Sequence, residues 1–350
     1  MPARRGRGGA LAIAVFALAL LFFAYTAVSG LLAKEQRVHT TAGRTAERTG
    51  AATGKTTAPA KPSESKPPKS TANTTGSGGF TGSLGARSAV VLGGDGNTLY
   101  SLAGDQRSYP ASTTKVLTAL VALENGDLSD SVRVGEEANL PKPGSSIAGL
   151  RYGERLTLEQ LLHALLIPSG NDAAYVIAAH IGRKISGDDR MGEEAAVGVF
   201  VQRMNSRARE LGAAHSHFAN PDGYHDEQHY TTAGDMGLIA LEAMTHSAFR
   251  QIVAKTSYAL PDVRVQDKDG KQTTQHRVLE NTNELLNSGS PYYMDACNGI
   301  KTGHTSEAGY CLISSAAQGG ESVLAVVMGS DQESVWADSA QLLQWGLAQP

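Results

Sequence analysis

The sequence has few cysteines, few aromatic side chains and little net charge. Only two cysteines occur in 350 residues, which excludes a scaffold held by several disulfides. Aromatic residues make up 6% of the chain and the formal net charge is −3, so we expect no nucleic-acid partner. Apolar residues make up 41%, which is enough for a buried core in one large or two small domains.

Acidic residues are missing from residues 1–9, which carry three arginines, and residues 10–33 contain no charged residue at all. This apolar run is long enough to cross a bilayer, which needs about 20 residues. The arginines predict that residues 1–9 stay in the cytoplasm and that the rest of the chain faces outward. We expect an uncleaved anchor in the cytoplasmic membrane. The alternative is a cleaved signal peptide, because small residues at 27–29 offer a cleavage site.

Large apolar side chains are nearly absent from residues 34–85, which are rich in Thr, Ala, Gly, Pro, Ser and Lys. Such a segment cannot bury enough surface to offset its ordering entropy, so it predicts a disordered extracytoplasmic stalk. Residues 34–80 carry a net charge of +5, whereas residues 81–350 carry −11. The sequence therefore predicts a basic tail and an acidic folded domain over residues 86–350.

The two cysteines, Cys297 and Cys311, both fall in the exported part of the chain. In an oxidising compartment, an even pair separated by a short segment predicts a disulfide. We therefore expect a disulfide between them.

Apolar periodicity and turn residues predict the elements of the domain. The stretch SAVVLGGDGNTLYSL, from Ser88, has two apolar runs around a Gly-Asp-Gly turn and predicts a β-hairpin. After residue 295, three short β-rich runs precede a closing helix. Strands at both ends with helices between them predict a mixed layered α+β fold, in which helices flank one antiparallel sheet beside an all-helical region. The segments with helical periodicity are STTKVLTALVALENG, TLEQLLHALLI, NDAAYVIAAHIG, EEAAVGVFVQRMNSRAREL and TTAGDMGLIALEAM.

Four histidines, His215, His217, His225 and His229, raise the alternative of a zinc site. A zinc-peptidase helix carries His-Glu-x-x-His, whereas HDEQH places Glu227 in the middle, and the preceding Asn-Pro-Asp-Gly predicts a loop. We therefore expect structural roles for these histidines, and neither a metal nor a cofactor.

A serine and a lysine three residues apart, Ser112 and Lys115, begin the first predicted helix. Residues at this spacing share a helix face, so the amine can reach the hydroxyl. A neutral lysine there could take the hydroxyl proton and leave an attacking alkoxide. The pattern alone is weak, because Ser63 and Lys66 repeat it inside the stalk.

Two further motifs strengthen the pattern. The turn PSGND places Ser169 and Asn171 between two helices, where side chains can project into a cleft. The strand GIKTG carries Lys301, Thr302 and Gly303, and its glycine allows a ligand's backbone close to the sheet. Ser-x-x-Lys, Ser-x-Asn and Lys-Thr-Gly in this order are the signature of penicillin-recognising serine enzymes.

Residues 86–347 closely resemble the serine D-alanyl-D-alanine carboxypeptidases, the low-molecular-mass penicillin-binding proteins. The likeness extends to SGNDAA, VQRMNSRARELG, HFANPDGYHDEQHYTTAGDM and GIKTGHTSEAGYCLISSA. It implies a β-lactamase/transpeptidase-like fold and removal of the terminal D-alanine from peptidoglycan stem peptides through a serine acyl-enzyme. It also implies inhibition by β-lactam antibiotics. If the apolar segment of residues 10–33 is a cleaved signal peptide, we expect secretion to the cell wall.

The resemblance implies a role for each motif residue. Ser112 is acylated, Lys115 is its base, and Ser169 relays the proton to the leaving amine. The backbone N–H groups of Ser112 and His304 form the oxyanion hole.

Substrate binding is implied for four further residues. Asn171 holds the peptide amide, Lys301 supplies positive potential, and Thr302 binds the terminal carboxylate beside Gly303.

Three alternatives share this scaffold: a β-lactamase, a D,D-endopeptidase and a catalytically silent penicillin-sensing or peptidoglycan-binding protein. The middle motif is Ser-Gly-Asn, unlike the Ser-Asp-Asn of class A β-lactamases. The sequence also lacks a counterpart of their deacylating glutamate loop. Both features disfavour rapid hydrolysis of the drug.

Overall fold

The computed structural model describes residues 79–266 and 271–349, where the chain forms seven α-helices and nine strands. The strands are β1 (Ser88–Gly93), β2 (Thr98–Leu102), β3 (Ser131–Arg133), β4 (Arg155–Thr157), β5 (Ser257–Gln266), β6 (Gln272–Glu280), β7 (Cys297–Thr305), β8 (Gly309–Gln318) and β9 (Glu321–Ser330). The helices are α1 (Lys115–Asn125), α2 (Leu158–Leu166), α3 (Asn171–Ser186), α4 (Glu193–Glu210), α5 (Ala233–Thr245), α6 (Ser247–Val253) and α7 (Ser334–Leu347).

Five strands form one antiparallel sheet in the order β2-β1-β9-β8-β7. The predicted hairpin from Ser88 is β1 with β2, and β1 joins the C-terminal strands by pairing with β9. The prediction of one antiparallel sheet built from both ends of the domain is confirmed. Strand β7, which carries the Lys-Thr-Gly motif, lies at an edge of this sheet.

The sheet separates two hydrophobic cores. All six residues of β1 are buried, and because successive side chains point to opposite faces, they contribute to both cores. Val90 and Leu92 pack with the helical region, whereas Ala89 and Val91 pack with α7. Helix α1 lies inside the helical region, since its first eight residues are all buried. This arrangement is the predicted mixed layered α+β fold.

The paired strands β5 and β6 were not predicted from the sequence. In β6, only Arg277 and Leu279 are buried, and the other side chains are mostly polar and exposed. Without an apolar alternation, this strand gives no periodic signal. A capping box of Thr157 and Gln160 lies at the start of α2.

Cys297 and Cys311 do not form the predicted disulfide, and both are free and buried. They lie on neighbouring strands, but the register pairs Cys311 with Gly303 and Cys297 with Ala316. Gly303 lies six residues beyond Cys297 on β7. That is about 20 Å at roughly 3.4 Å per residue, whereas a disulfide joins Cα atoms about 4.4–6.8 Å apart. The prediction of a disulfide was wrong because the strand register could not be read from the spacing.

Residues 1–78 lie outside the described residues. The predicted cytoplasmic tail (1–9), the predicted membrane anchor (10–33) and most of the predicted stalk (34–85) fall there. Of the helices in residues 79–266 and 271–349, none has the length and apolar content needed to cross a bilayer.

The C-terminal end of the predicted stalk is part of the folded domain. The Phe80 ring contacts the rings of Tyr100 and Trp345, with centroids 5.3 and 5.8 Å apart. The backbone N–H of Gly85 donates to the Asp338 carboxylate at 3.1 Å. Residues 80–85 therefore belong to the domain, which was predicted to begin only at residue 86.

Candidate active site

Ser112 lies in one 3₁₀ turn, Ala111–Thr114, which leads directly into α1 at Lys115. In a 3₁₀ turn the side chains of residues three apart eclipse each other, so Ser112 and Lys115 project to the same side. The sequence predicted that the helix itself would begin at the serine. The tighter turn brings the two side chains together more directly than an α-helical turn would.

Two glycines hold the Ser112 turn from either side. A Cβ at Gly223 would lie 1.8 Å from the Ala111 carbonyl oxygen, and Gly223 also has a φ of +84°. A Cβ at Gly303 would lie 3.1 Å from the backbone nitrogen of Ser112. Glycine therefore lets strand β7 and the loop at Gly223 approach the turn closely.

The Lys115 amine is fully buried and lies 2.9 Å from the Ser112 hydroxyl. It also lies 2.7 Å from the Asn171 side-chain oxygen and 2.6 Å from the Asp222 backbone oxygen. Burial lowers the pKa of Lys115 to about 8, and the carboxylates of Asp222 and Asp172 oppose this shift. The pKa of this amine is thus close to the value that a general base needs near neutral pH.

Lys301 is the second buried lysine, and it is 1% exposed. Its amine donates to the backbone oxygen of Thr302 at 3.0 Å and to the Thr302 hydroxyl at 3.3 Å. Burial, and then the charge of Lys115, hold the pKa of Lys301 well below its ordinary value. No carboxylate forms an ion pair with it in residues 79–266 and 271–349, so its charge has no anionic partner there.

The Ser-Gly-Asn motif lies between α2 and α3. Ser169 is 5% exposed and adopts a left-handed backbone with a φ of +65°, which costs a serine about 1–2 kcal/mol. Among the described residues its hydroxyl has no hydrogen-bond partner, and the side chain lines the same cleft as Ser112. Asn171 begins α3 and turns its side-chain oxygen to Lys115. The structure therefore brings the first two motifs together.

Asp172 has a structural role beside the cleft. It lies in the first turn of α3. Its carboxylate also accepts hydrogen bonds from the backbone N–H groups of Ala148 at 2.8 Å and Leu150 at 3.0 Å. These bonds fix the segment 145–150, whose serines Ser145 and Ser146 form part of the cleft wall.

His229 links the loop that contains Asp222 to Thr114, the residue before α1. Its Nδ1 accepts from the backbone N–H of Ala219 at 3.1 Å, so its Nε2 donates to the Thr114 hydroxyl at 2.8 Å. Burial lowers the pKa of His229 to about 3, which keeps the ring neutral. The loop therefore presents the Asp222 carbonyl to Lys115.

The four histidines of the zinc alternative do not converge. In the part of the chain that the structure describes, only Glu124, Glu242 and His246 bring three possible metal ligands within reach of one another. Arg207 forms ion pairs of 2.7 and 2.6 Å with the two glutamates, so this group is an ion-pair network. His225 lines the cleft instead, edge-on to the Tyr109 ring at 4.7 Å.

A further contact in the cleft was missed from the sequence. The Thr302 hydroxyl lies 2.6 Å from the hydroxyl of Thr282, which follows β6 and also lines the cleft. Thr282 has no motif around it, so only the fold could bring it beside Thr302.

The cleft has a volume of about 640 Å³ and contains the predicted site residues or adjoins them. Its lining includes Ser112, Ser169, Asn171, Thr302, Gly303 and His304. A nucleophile, a buried amine with a lowered pKa and an edge strand thus meet in one open groove, which suits acyl transfer on a peptide.

Comparison with known families agrees with this geometry. The family described as D-alanyl-D-alanine carboxypeptidase, Peptidase_S11, matches residues 73–332. A D-alanyl-D-alanine carboxypeptidase of Streptomyces sp. (strain K15) is 35% identical over 266 residues, 73% of this chain and 84% of that protein. D-alanyl-D-alanine carboxypeptidase DacF of Bacillus subtilis is 36% identical over 251 residues, but the match spans only 57% of its length.

Solved structures show the same similarity. The chain resembles the Streptomyces K15 DD-transpeptidase with a TM-score of 0.67 and 32% identity, over 77% of this chain and 100% of that one. It also resembles D-alanyl-D-alanine carboxypeptidase DacD from Francisella tularensis, with a TM-score of 0.64 and 27% identity, over 77% of this chain and 72% of that one.

Proposed function

This chain belongs to the D-alanyl-D-alanine carboxypeptidase family, and we propose that it removes the terminal D-alanine from peptidoglycan stem peptides that end in D-Ala-D-Ala. The observation that carries this proposal is the fully buried Lys115 amine, 2.9 Å from the Ser112 hydroxyl. A buried lysine is costly unless it is paired, and this one faces a serine at the mouth of a cleft.

Acylation begins at Ser112. Neutral Lys115 takes the hydroxyl proton while the serine oxygen attacks the carbonyl carbon of the penultimate D-alanine. The backbone N–H groups of Ser112 and His304 hold the resulting oxyanion, and each such donor contributes about 2.7–4 kcal/mol in comparable sites. Ser169 then passes the proton from Lys115 to the leaving amine, the C–N bond breaks, and an ester remains on Ser112.

Deacylation reverses the proton transfers with water as the nucleophile. Lys115 takes a proton from water as the oxygen attacks the ester carbonyl, and the proton then returns to the Ser112 oxygen. The peptide leaves one residue shorter, with a new terminal carboxylate. The enzyme is restored without any cofactor.

Lys301 and Thr302 bind the carboxylate of the terminal D-alanine in this proposal. Burial and the charge of Lys115 hold the pKa of Lys301 well below its ordinary value. An incoming carboxylate raises that pKa and forms an ion pair that burial strengthens. Asn171 uses its side-chain oxygen for Lys115. Its side-chain N–H₂ is therefore the group that holds the peptide amide of the substrate, through the amide carbonyl.

β-Lactam antibiotics acylate the same serine in this proposal, because their strained amide mimics the D-Ala-D-Ala bond. Covalent labelling by a penicillin therefore measures the reactivity of Ser112 directly. A β-lactamase would turn the drug over, a D,D-endopeptidase would cleave crosslinked peptides, and a silent sensor would be labelled but release no D-alanine.

Transfer to an amine is a second candidate outcome for the acyl-enzyme, because the similar Streptomyces K15 structure is described as a DD-transpeptidase. The same ester would then react with an amine in place of water. Adding glycine or a D-amino acid to the peptide assay separates the two outcomes, since transfer yields a new peptide product.

We also propose that the domain acts on the extracytoplasmic face of the cell membrane. The charge-free run of residues 10–33, behind three arginines, supports a single N-terminal anchor. Membrane fractionation with mass spectrometry of the N-terminus tests this, because a cleaved signal peptide would shorten the chain and free it from the membrane.

The central test is labelling of the purified full chain with fluorescent penicillin. Wild type should bind one equivalent, and Ser112→Ala should bind none while keeping its thermal unfolding midpoint. Ser63→Ala is the matched control, because Ser63 begins the other Ser-x-x-Lys pattern. If Ser112→Ala is still labelled, Ser112 is not the nucleophile. If labelled wild type releases no D-alanine from a pentapeptide, the proposed peptidase activity is refuted.

A further inference from the structure

Two arginines lie side by side on the outer face of the short β3–β4 ladder. The register pairs Arg133 of β3 directly with Arg155 of β4, and both side chains are exposed. The neighbouring pair, Val132 with Leu156, is buried, so the arginines leave the ladder together on the solvent side. The Cβ atoms of directly opposite residues lie about 4.5–5.5 Å apart, so the two charges are close neighbours.

This pairing of like charges is unfavourable by itself, because like charges directly opposite each other destabilise a ladder. In the part of the chain that the structure describes, no carboxylate forms an ion pair with either arginine. The acid of the same hairpin, Glu154, is paired with Arg277, and the exposed Glu136 accepts from the Asn139 side chain. The pair is thus unbalanced positive charge on a domain in which residues 81–350 carry −11.

An exposed aromatic ring accompanies the pair. Tyr152 is 61% exposed, and the Arg133 guanidinium lies over its ring, 5.3 Å from the centroid. We call the surface formed by Arg133, Tyr152 and Arg155 the arginine face. Arg151 borders it, and this third exposed guanidinium donates only to the neutral Gln275 side chain, at 3.1 Å.

We propose that the arginine face docks the domain on a membrane surface that contains anionic phospholipids. Guanidinium groups bind phosphate with two parallel hydrogen bonds, and a tyrosine ring is favourable at the depth of the lipid headgroups. A soluble polyanion would pair with the charges but leave the Tyr152 ring in water. The combination of ring and charges therefore favours a lipid surface as the partner.

The proposal rests on the proposed function, in which the chain is anchored at the extracytoplasmic face of the membrane. Each cationic side chain near an anionic surface strengthens binding roughly five-fold, so two arginines give a weak contact. A tethered domain needs no more, because the anchor makes docking an intramolecular step with a high effective concentration. The cleft wall of residues 145–150 runs directly into Arg151, so docking holds the cleft close to the bilayer.

The test places a fluorescent reporter beside the arginine face. Ser131 is exposed two residues before Arg133, on the same side of β3, so Ser131→Cys can carry an environment-sensitive dye. The labelled full chain is inserted into vesicles of phosphatidylcholine alone or of phosphatidylcholine with phosphatidylglycerol. The emission should shift to shorter wavelength only with phosphatidylglycerol, and high salt should abolish the shift. Arg133→Gln/Arg155→Gln should lower the ratio of docked to free domain about 25-fold.

Arg190→Gln/Arg209→Gln is the matched control, because it removes the same charge from two other exposed positions. This variant should keep the lipid-dependent shift. The glutamine variant of the arginine face should keep its thermal unfolding midpoint, since it removes a repulsion. If it does not fold, Arg133→Lys/Arg155→Lys and the salt dependence of wild type decide, because docking through charge must survive the first and decline with the second.

The proposal is overturned if phosphatidylglycerol causes no shift in wild type, or if the glutamine variant keeps the shift. It is also overturned if soluble polyphosphate shifts the emission in neutral vesicles and phosphatidylglycerol does not, since the partner would then be a soluble polyanion. Penicillin labelling and D-alanine release on the same vesicles test the proposed function separately. A chain that does not float with neutral vesicles refutes the anchor, and the dye then measures binding to added anionic vesicles.

Discussion

The side-chain oxygen of Asn171 lies 2.7 Å from the amine of Lys115, and the Asp222 backbone oxygen lies 2.6 Å from it. A neutral amine has two N–H donors and one lone pair. When the two N–H groups point to these oxygens, the lone pair faces the remaining neighbour, the Ser112 hydroxyl at 2.9 Å. Asn171 and Asp222 therefore orient the Lys115 amine to receive the serine proton.

Acylation should depend on pH through Lys115. Its pKa is lowered to about 8, so the neutral base becomes more abundant as the pH rises toward that value. The rate of penicillin acylation should rise roughly tenfold per pH unit below this midpoint and level off above it. Lys115→Arg keeps its charge at every accessible pH and should abolish acylation. Stopped-flow labelling across the pH range measures both, and a flat wild-type profile would contradict the role of the lysine.

Asp222→Asn should move this pH midpoint downward. The Asp222 carboxylate raises the pKa of Lys115, and one of its oxygens is buried without a partner among the described residues. The amide removes the charge but preserves the shape and the acceptor for the Tyr224 N–H. Asp226→Asn, at an exposed position in the same loop, should leave the midpoint in place. An unchanged midpoint in Asp222→Asn would show that its charge does not reach the base.

His229 should make the domain less stable as the pH falls. The pKa of this ring is about 3 in the folded protein, against about 6.5 in an unfolded chain. Between these values the unfolded chain binds one more proton, so stability rises with pH and is lost on acidification. The slope from this group is at most about 1.4 kcal/mol per pH unit.

Chemical denaturation at pH 7 and at pH 5 measures this contribution. His229→Gln should lower the free energy of unfolding at pH 7 by about 1–3 kcal/mol, because a buried hydrogen bond is lost. It should also flatten the pH dependence. The exposed His276 is the control, and His276→Gln should keep the wild-type slope. An equal slope in His229→Gln would assign the acid sensitivity to other groups.

Both cysteines should react as free thiols in the denatured protein without added reductant. Both are free, and burial raises the pKa of Cys311 to about 11 and also raises that of Cys297. A thiol reagent should therefore find two groups in the denatured protein and react slowly with the native one. If fewer than two cysteines are alkylated when the protein is unfolded in the presence of an alkylating agent, the prediction of two free thiols would be wrong and a disulfide would be supported.

The three motifs could be read from the sequence because each is local. Ser112 and Lys115 sit on one turn, and Lys301 to Gly303 form one stretch of strand, so spacing alone predicts their geometry. The β1–β2 hairpin and the described helices other than the short α6 were likewise predicted from turn residues and periodicity. Local patterns of this kind are fixed by backbone geometry rather than by distant partners.

The contacts that the sequence did not predict join distant parts of the chain. Asp222 reaches Lys115 across 107 residues, and the Thr282 hydroxyl meets Thr302 from a segment without a motif. The register of β7 against β8 places the two cysteines too far apart for a disulfide. Phe80 was assigned to the stalk because a single aromatic residue carries no periodic signal, yet it packs on Trp345. Such contacts depend on the tertiary fold.

The two glycines beside the Ser112 turn restrict how drug resistance could evolve in this protein. A side chain at Gly223 would collide with the Ala111 carbonyl, and one at Gly303 would crowd the Ser112 nitrogen. Either change displaces the serine that processes the natural peptide as well as the antibiotic. Substitutions that weaken β-lactam acylation without abolishing peptide hydrolysis are therefore expected at other positions of the groove.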